Sequence, residues 1–117
     1  MRILILDDND ERIVWFKQYF PDADIAKDAK EGIQKVVTND YDLIFLDHDL
    51  WRTDELGEED NNNGYEVAKA LVNSRRNKKS DIIIHSMNFA GAQRIKSLLP
   101  QAQYIPFYAL NFTISKK

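Results

Sequence analysis

The chain has two histidines, His48 and His85, and each closes a short apolar run: Asp42-Leu-Ile-Phe-Leu46 leads into Asp47-His48-Asp49, and Asp81-Ile-Ile-Ile84 into His85-Ser86-Met87-Asn88. Imidazoles change charge near neutrality without a large shift, so two of them across a phosphoryl group can act as general base and general acid. A lone histidine is more often a core residue bonded to a carboxylate; the pairing brings catalysis forward. Three aspartates join them, Asp7 and Asp8 after the first apolar run and Asp47 after the third. Three carboxylates at one sheet end repel one another unless a cation sits among them. Mg²⁺, or Mn²⁺ in its place, is the natural candidate, because it takes one or two carboxylates, keeps waters and accepts phosphate oxygens. Ser86 and Asn88 can donate hydrogen bonds to non-bridging oxygens. Asn88 can also cap the following helix, whose free N–H groups suit an anion.

The elements that must position these groups alternate. Arg2-Ile-Leu-Ile-Leu6 reads as a buried strand, and the stripe Ile13, Val14, Phe16, Phe20 predicts a helix from about Asp10 to Tyr19 that Pro21 ends. Ala23 to Ala26 is a second short strand. Asp28-Ala-Lys-Glu31 has the spacing of a capping box for a helix ending near Asn39. Asp42–Leu46 is the third strand. The segment from Trp51 to Asn63 is a cluster of Asp, Glu and Asn that cannot pack, expected to be mobile or ordered only by ions or ligand. Gly64 restarts a helix through Tyr65, Val67, Ala68, Leu71 and Val72. Asp81–Ile84 is the fourth strand, and a helix from about Ala90 to Leu99 follows. Tyr104 to Leu110, with Pro106, reads as a fifth strand at a sheet edge.

Strands alternating with helices imply right-handed βαβ units. The expected fold is therefore α/β, a doubly wound, flavodoxin-like five-stranded parallel sheet in the order 2-1-3-4-5, forming one domain over residues 1–117. That order sets the ends of the first, third and fourth strands side by side, at the switch point where such sheets bind ligands. Seven residues follow Leu110. They are too few for a full fifth helix, so the last helix is expected to be short or absent and the bare face open to homodimer formation.

Composition narrows the function classes. With 117 residues, 44% of them hydrophobic, the chain has material for one core. No apolar run reaches the roughly 20 residues that span a bilayer, and the N-terminus turns acidic too soon for a signal peptide, so a soluble cytoplasmic protein without a membrane role is expected. There is no cysteine, which removes thiolate chemistry and sulfur-ligated zinc and fits a reducing compartment. Up to Gly64 the chain has 17 acidic and 7 basic residues, and after it 2 and 9. Solvated faces explain most of that asymmetry. A pI near 5.3 argues against duplex DNA as a partner.

Leu6-Asp7-Asp8, Asp42-Leu-Ile-Phe-Leu-Asp47 and Ile84-His85-Ser86, with Gly64 before the third helix, resemble the response-regulator receiver fold over nearly the whole chain. The resemblance implies that paired acids hold Mg²⁺, that Asp47 accepts a phosphoryl group and that Ser86 bonds it. A lysine after the fifth strand completes that family's set, and Tyr104-Ile-Pro-Phe-Tyr108 offers none. Leu46-Asp-His-Asp-Leu50, Asn63-Gly-Tyr-Glu-Val-Ala-Lys69 and His85-Ser-Met-Asn-Phe-Ala-Gly91 more closely resemble the divergent branch named the cyclic-phosphate processing receiver domain. This implies functional roles for His48, Asp49, His85 and Asn88 alongside Asp7, Asp8 and Asp47; Arg94 stands where that branch is expected to carry an asparagine. The expected roles are catalytic for His48, His85 and Asp47, substrate-binding for Asp49, Ser86, Asn88 and Arg94, and metal-binding for Asp7, Asp8 and Asp47. The implied activity is a phosphodiesterase acting on a cyclic nucleotide or a 2′,3′-cyclic RNA end. The alternative is a non-enzymatic receiver that takes a phosphoryl group on Asp47 or binds a phosphate ligand.

Overall fold

The computed structural model describes residues 1–50 and 62–110. Five strands, β1 (Ile3–Leu6), β2 (Asp24–Ala26), β3 (Leu43–Leu46), β4 (Asp81–Ile84) and β5 (Gln103–Tyr104), pair in parallel in the order β2-β1-β3-β4-β5. The helices α1 (Asp10–Tyr19), α2 (Ala29–Thr38), α3 (Gly64–Asn73) and α4 (Phe89–Leu98) are the crossovers. The expected α/β architecture and strand order are therefore observed. Among the described residues, no helix is long and apolar enough to cross a membrane.

Alternation along the strands divides the core in two. Leu4, Leu6, Ile44, Leu46, Ile82 and Ile84 face a cluster completed by Val36, Val67, Ala68, Leu71 and Ile95 from α2, α3 and α4. Ile3, Ile5 and Phe45 face the other way, with Ile83 beside them, and pack with Phe16 of α1 and Leu110. Each of these four helices starts on a polar side chain that caps a free N–H: Asn9 accepts from Arg12, Asp28 from Glu31, Asn63 from Glu66 and Asn88 from Gly91. The cap on α1 matters most for the site, since it fixes where Arg12 leaves the backbone.

Two expectations change. The fifth strand ends at Tyr104 rather than Leu110, with Ile105 N–H still donating to the Ile84 carbonyl, and residues 107–110 are helical. Pro106 opens that helix. Its carbonyl accepts from both Ala109 and Leu110 (2.9 Å each), and its missing N–H costs nothing at a helix start. Phe107 and Leu110, three apart, both pack into the second cluster, as helical spacing allows and strand spacing forbids. The face expected to be bare is thus partly covered. Most of the acidic segment, Trp51–Asn61, lies outside the described residues; of its end, Asn62 bonds Ala29 N–H (2.9 Å) and Asn63 bridges to Asp49.

The junction of β3 and α3 leaves no room at Gly64. Its N–H donates to the His48 carbonyl (2.8 Å), and a Cβ there would sit 1.8 Å from the Asp47 carbonyl oxygen. Since the obstruction is backbone, no rotamer change relieves it. We expect Gly64→Ala to destabilise the fold by at least about 2 kcal/mol in urea denaturation; an unchanged midpoint would show that this approach is not tight in solution.

Candidate functional site

The parallel register places Leu6, Leu46 and Ile84 in one row across the sheet. The ladder continues one residue further, with Asp7 N–H bonded to Ala26, Asp47 N–H to Leu6 and His85 N–H to Leu46. Asp7, Asp47 and His85 therefore form the next row. Strand alternation turns them toward the α1 face, the face of Phe45 and Ile83. All three are buried, and one ligand atom from each lies within 4.8 Å of the others, a donor group that could hold a metal ion.

The charge of this row is met by a residue that the sequence reading did not single out. Arg12, in the first turn of α1, donates from Nε to Asp7 Oδ2 (2.8 Å) and from Nη2 to Asp7 Oδ1 (3.0 Å) and Asp47 Oδ2 (3.1 Å). Its guanidinium also faces the Phe107 ring, 5.8 Å from the centroid. The signal in the sequence was positional. Arg12 is the only basic residue between Asp7 and Phe16, and a helix starting at Asp10 carries it in its first turn, beside the strand end.

Beneath the arginine, His85 Nε2 bonds Asp7 Oδ2 (2.8 Å), and its ring meets Phe16 (5.1 Å) and Phe45 (6.3 Å) edge to face. Burial alone would push the Asp7 carboxyl up, but the hydrogen bonds from His85 and Arg12 outweigh it and hold Asp7 at about 2. Asp47 goes the other way. Burial, reinforced by the neighbouring Asp7 charge, pushes it up to about 6 against the lowering influence of His85 and Arg12.

Above this row the chain leaves the sheet around an open cavity of about 400 Å³. Asp8, Arg12, Asp47, Asp49, Ser86 and Met87 are among its walls, and Asp8 stands outside the tight donor group of Asp7, Asp47 and His85. Ser86 Oγ accepts the Asn88 N–H (3.0 Å). Asn88 does two things at once, capping α4 through Oδ1 (3.0 Å to Gly91 N) and holding Asp49 Oδ1 through Nδ2 (3.1 Å). The same Asp49 oxygen lies 2.7 Å from His48 Nδ1. Burial raises the Asp49 carboxyl, but these bonds to His48 and Asn88 carry it below its ordinary value. The His48 ring packs closely against α4, and a Cβ on Gly91 would come within 2.4 Å of its Cγ.

The two imidazoles are thus placed differently. His48 bonds Asp49, which Asn88 in turn holds, and His85 bonds Asp7; neither imidazole is among the cavity walls. Each keeps one buried ring nitrogen without a hydrogen-bond partner, Nε2 of His48 and Nδ1 of His85. Arg94 lies apart from the cavity, its guanidinium 4.4 Å from the Tyr65 ring centroid, where α4 meets α3.

A family model described as the cyclic-phosphate processing Receiver domain matches residues 2–101. The chain belongs to that family. No curated protein matches the chain. Solved structures similar to this receiver include response regulator protein TrrA from Thermotoga maritima in complex with Mg²⁺-BeF (22% identity, 98% of this chain and 96% of that one, TM-score 0.67). The receiver domain of a sensor histidine kinase from Pseudomonas aeruginosa, with a magnesium ion in its active-site cleft, is also similar (15% identity, 98% and 91%, TM-score 0.72). A third is a response regulator from Burkholderia pseudomallei with a phosphorylated aspartic acid (14% identity, 88% and 57%, TM-score 0.66), of which this receiver spans little more than half. At these identities the likeness establishes the fold. After β5 this receiver carries Ile105, packed against the second cluster, and the segment from Tyr104 to Tyr108 supplies no lysine.

The opposite shifts of Asp7 and Asp47 give opposite stability signatures. Asp47, raised in the folded state, favours folding below the unfolded value of 3.8, and that contribution is lost as pH rises through about 6. Asp7, depressed, favours folding above 3.8, and its contribution is lost as pH falls through about 2. In chelator at pH 7, Asp47→Asn should stabilise the receiver by about 2–3 kcal/mol, a gain that fades toward pH 4, and Asp7→Asn should destabilise it. Urea titrations across pH check both signs; destabilisation by Asp47→Asn would show that its carboxylate is not strained.

Proposed function

We propose that this site hydrolyses a cyclic phosphate on a nucleotide, either a cyclic nucleotide signal or the 2′,3′-cyclic end of an RNA, in the cytoplasm. The observation that carries the reading is the chain Asn88–Asp49–His48, in which one carboxylate oxygen meets both Asn88 Nδ2 (3.1 Å) and His48 Nδ1 (2.7 Å) at the edge of the acidic cavity. A site that merely accepts a phosphoryl group on an aspartate has no use for an oriented imidazole. A hydrolase does, because a carboxylate on Nδ1 fixes the tautomer and leaves Nε2, buried and without a partner, as the lone pair that would take a proton from water and return it to the leaving oxygen once substrate binding uncovers it.

Other groups fill supporting roles in this reading. Ser86 Oγ accepts from Asn88, which leaves its own hydrogen for a phosphoryl oxygen. His85 holds Asp7 in place rather than meeting substrate, given its burial. Asp7 and Asp47 fit a small divalent cation, because with His85 they bring donor atoms within 4.8 Å of one another, and Asp8 adds a carboxylate on the wall of the adjoining polar cavity. Mg²⁺ or Mn²⁺ held by Asp7, Asp8 and Asp47 would supply positive charge to the phosphoryl oxygens. The Mg²⁺ bound in the Thermotoga and Pseudomonas receivers supports that choice.

The test is to incubate purified protein with cyclic mononucleotides, cyclic oligonucleotides and 2′,3′-cyclic RNA ends, with and without Mg²⁺. One class should be opened to a phosphomonoester, and His48→Gln should slow this by roughly 10²- to 10⁴-fold, the range for a lost general acid or base. Asp49→Asn should lower kcat more than it raises KM, since it disturbs the tautomer and not the phosphate. Acetyl phosphate should leave Asp47 unmodified by intact mass. Stable stoichiometric phosphorylation with no turnover of any cyclic phosphate would instead establish a phosphoryl-accepting switch.

A further inference from the structure

We infer that Arg12 is an exchangeable counter-ion: its guanidinium competes with a divalent cation for the oxygens of Asp7 and Asp47, and on release becomes the phosphate-binding cation of the cavity. The second half rests on the reading of the cavity as a phosphate site.

The competition follows from the lone pairs. Asp7 Oδ1 accepts from Asn9 N (2.9 Å) and Arg12 Nη2 (3.0 Å), and Asp7 Oδ2 from His85 Nε2 (2.8 Å) and Arg12 Nε (2.8 Å). Asp47 Oδ1 accepts from His48 N (2.9 Å) and Oδ2 from Arg12 Nη2 (3.1 Å). A cation that takes oxygens from both carboxylates must displace a donor. The donors from Asn9 and His48 are backbone, and His85 is enclosed by aromatic rings. Arg12 alone of these can leave by rotating a side chain. That side chain is 26% exposed and lines the cavity, while the Asn9 cap holds its backbone N–H (2.9 Å).

Its destination follows from charge. Among the described cavity walls Arg12 is the one basic residue, facing Asp8, Asp10, Asp47 and Asp49. With Ile105 after β5, no lysine from that strand end reaches a bound phosphate. A guanidinium freed from two carboxylates matches a phosphate with the same two-pronged donor geometry that it shows toward Asp7. Phe107, against which it rests, allows the side chain to slide without losing its apolar backing.

Exchange of Arg12 requires opposite signs for two ligands. By calorimetry, Arg12→Gln should bind Mg²⁺ and Mn²⁺ roughly tenfold more tightly than wild type, because a charged competitor is gone. With Mg²⁺ saturating, it should bind inorganic phosphate roughly tenfold more weakly or worse. Arg12→Lys, which keeps the charge and loses the fork, should fall between them. In the wild type, the Arg12 Nε–H resonance should shift as Mg²⁺ is added and again with phosphate, a reading that needs no variant to fold. Equal or weaker Mg²⁺ binding by Arg12→Gln, unchanged phosphate affinity, or an unmoved Nε–H signal would overturn the exchange. The opposite signs without turnover of any cyclic phosphate would leave the exchange standing and sink the hydrolase reading. Turnover without the Mg²⁺ effect would sink the exchange alone.

Discussion

Burial of ionisable groups in a single row across the sheet is the constraint on which the site depends. The parallel register sets Asp7, Asp47 and His85 side by side, and the alternation that buries Phe45 and Ile83 drives them toward the same aromatic layer. Left unpaired, each charge there would cost several kcal/mol of desolvation. Arg12 and His85 answer most of it at Asp7, which stays ionised, and less at Asp47, which does not settle so easily. One carboxylate is thereby made a fixed anchor and its neighbour a strained group poised to gain a better partner.

The next residues along each strand face the other way and do different work. Asp8, His48 and Ser86 follow the row by one position, where the backbone turns out of the sheet toward α1, α3 and α4. There the constraint is close approach rather than burial of charge. Gly64 lets α3 start against the Asp47 carbonyl, and Gly91 lets the His48 ring lie on α4. Asn88 closes the arrangement, because the same amide that caps α4 tethers Asp49 and through it His48.

The strand order and the gathering of Asp7, Asp47, His48 and His85 at one sheet end were legible because they follow from βαβ alternation and from which residues end which strand. The partition of the two histidines was not. It depends on a one-residue difference in position, His85 immediately after β4 and His48 two residues after β3, which decides the face on which each imidazole falls. Arg12 was missed for a related reason. It lies on a helix, and only the cap at Asn9 and the position of α1 over the sheet bring it onto carboxylates five and thirty-five residues away. The fifth strand was overextended because Tyr104–Leu110 is apolar enough for either element, and the decision lay in Pro106 and in the three-residue spacing of Phe107 and Leu110.

These features bear on why an isoleucine can stand after β5. In a site whose only basic wall were a distant lysine, replacing it would leave the carboxylates without a counter-charge and the phosphate without a cation. Here the counter-charge comes from α1. Ile105 is then free to join Phe107 and Leu110 in the layer that encloses Phe16 and, through it, the His85 ring. The apolar residue after β5 and the basic residue in α1 are two sides of one arrangement, in which positive charge enters the site along a helix and the sheet edge is given over to packing.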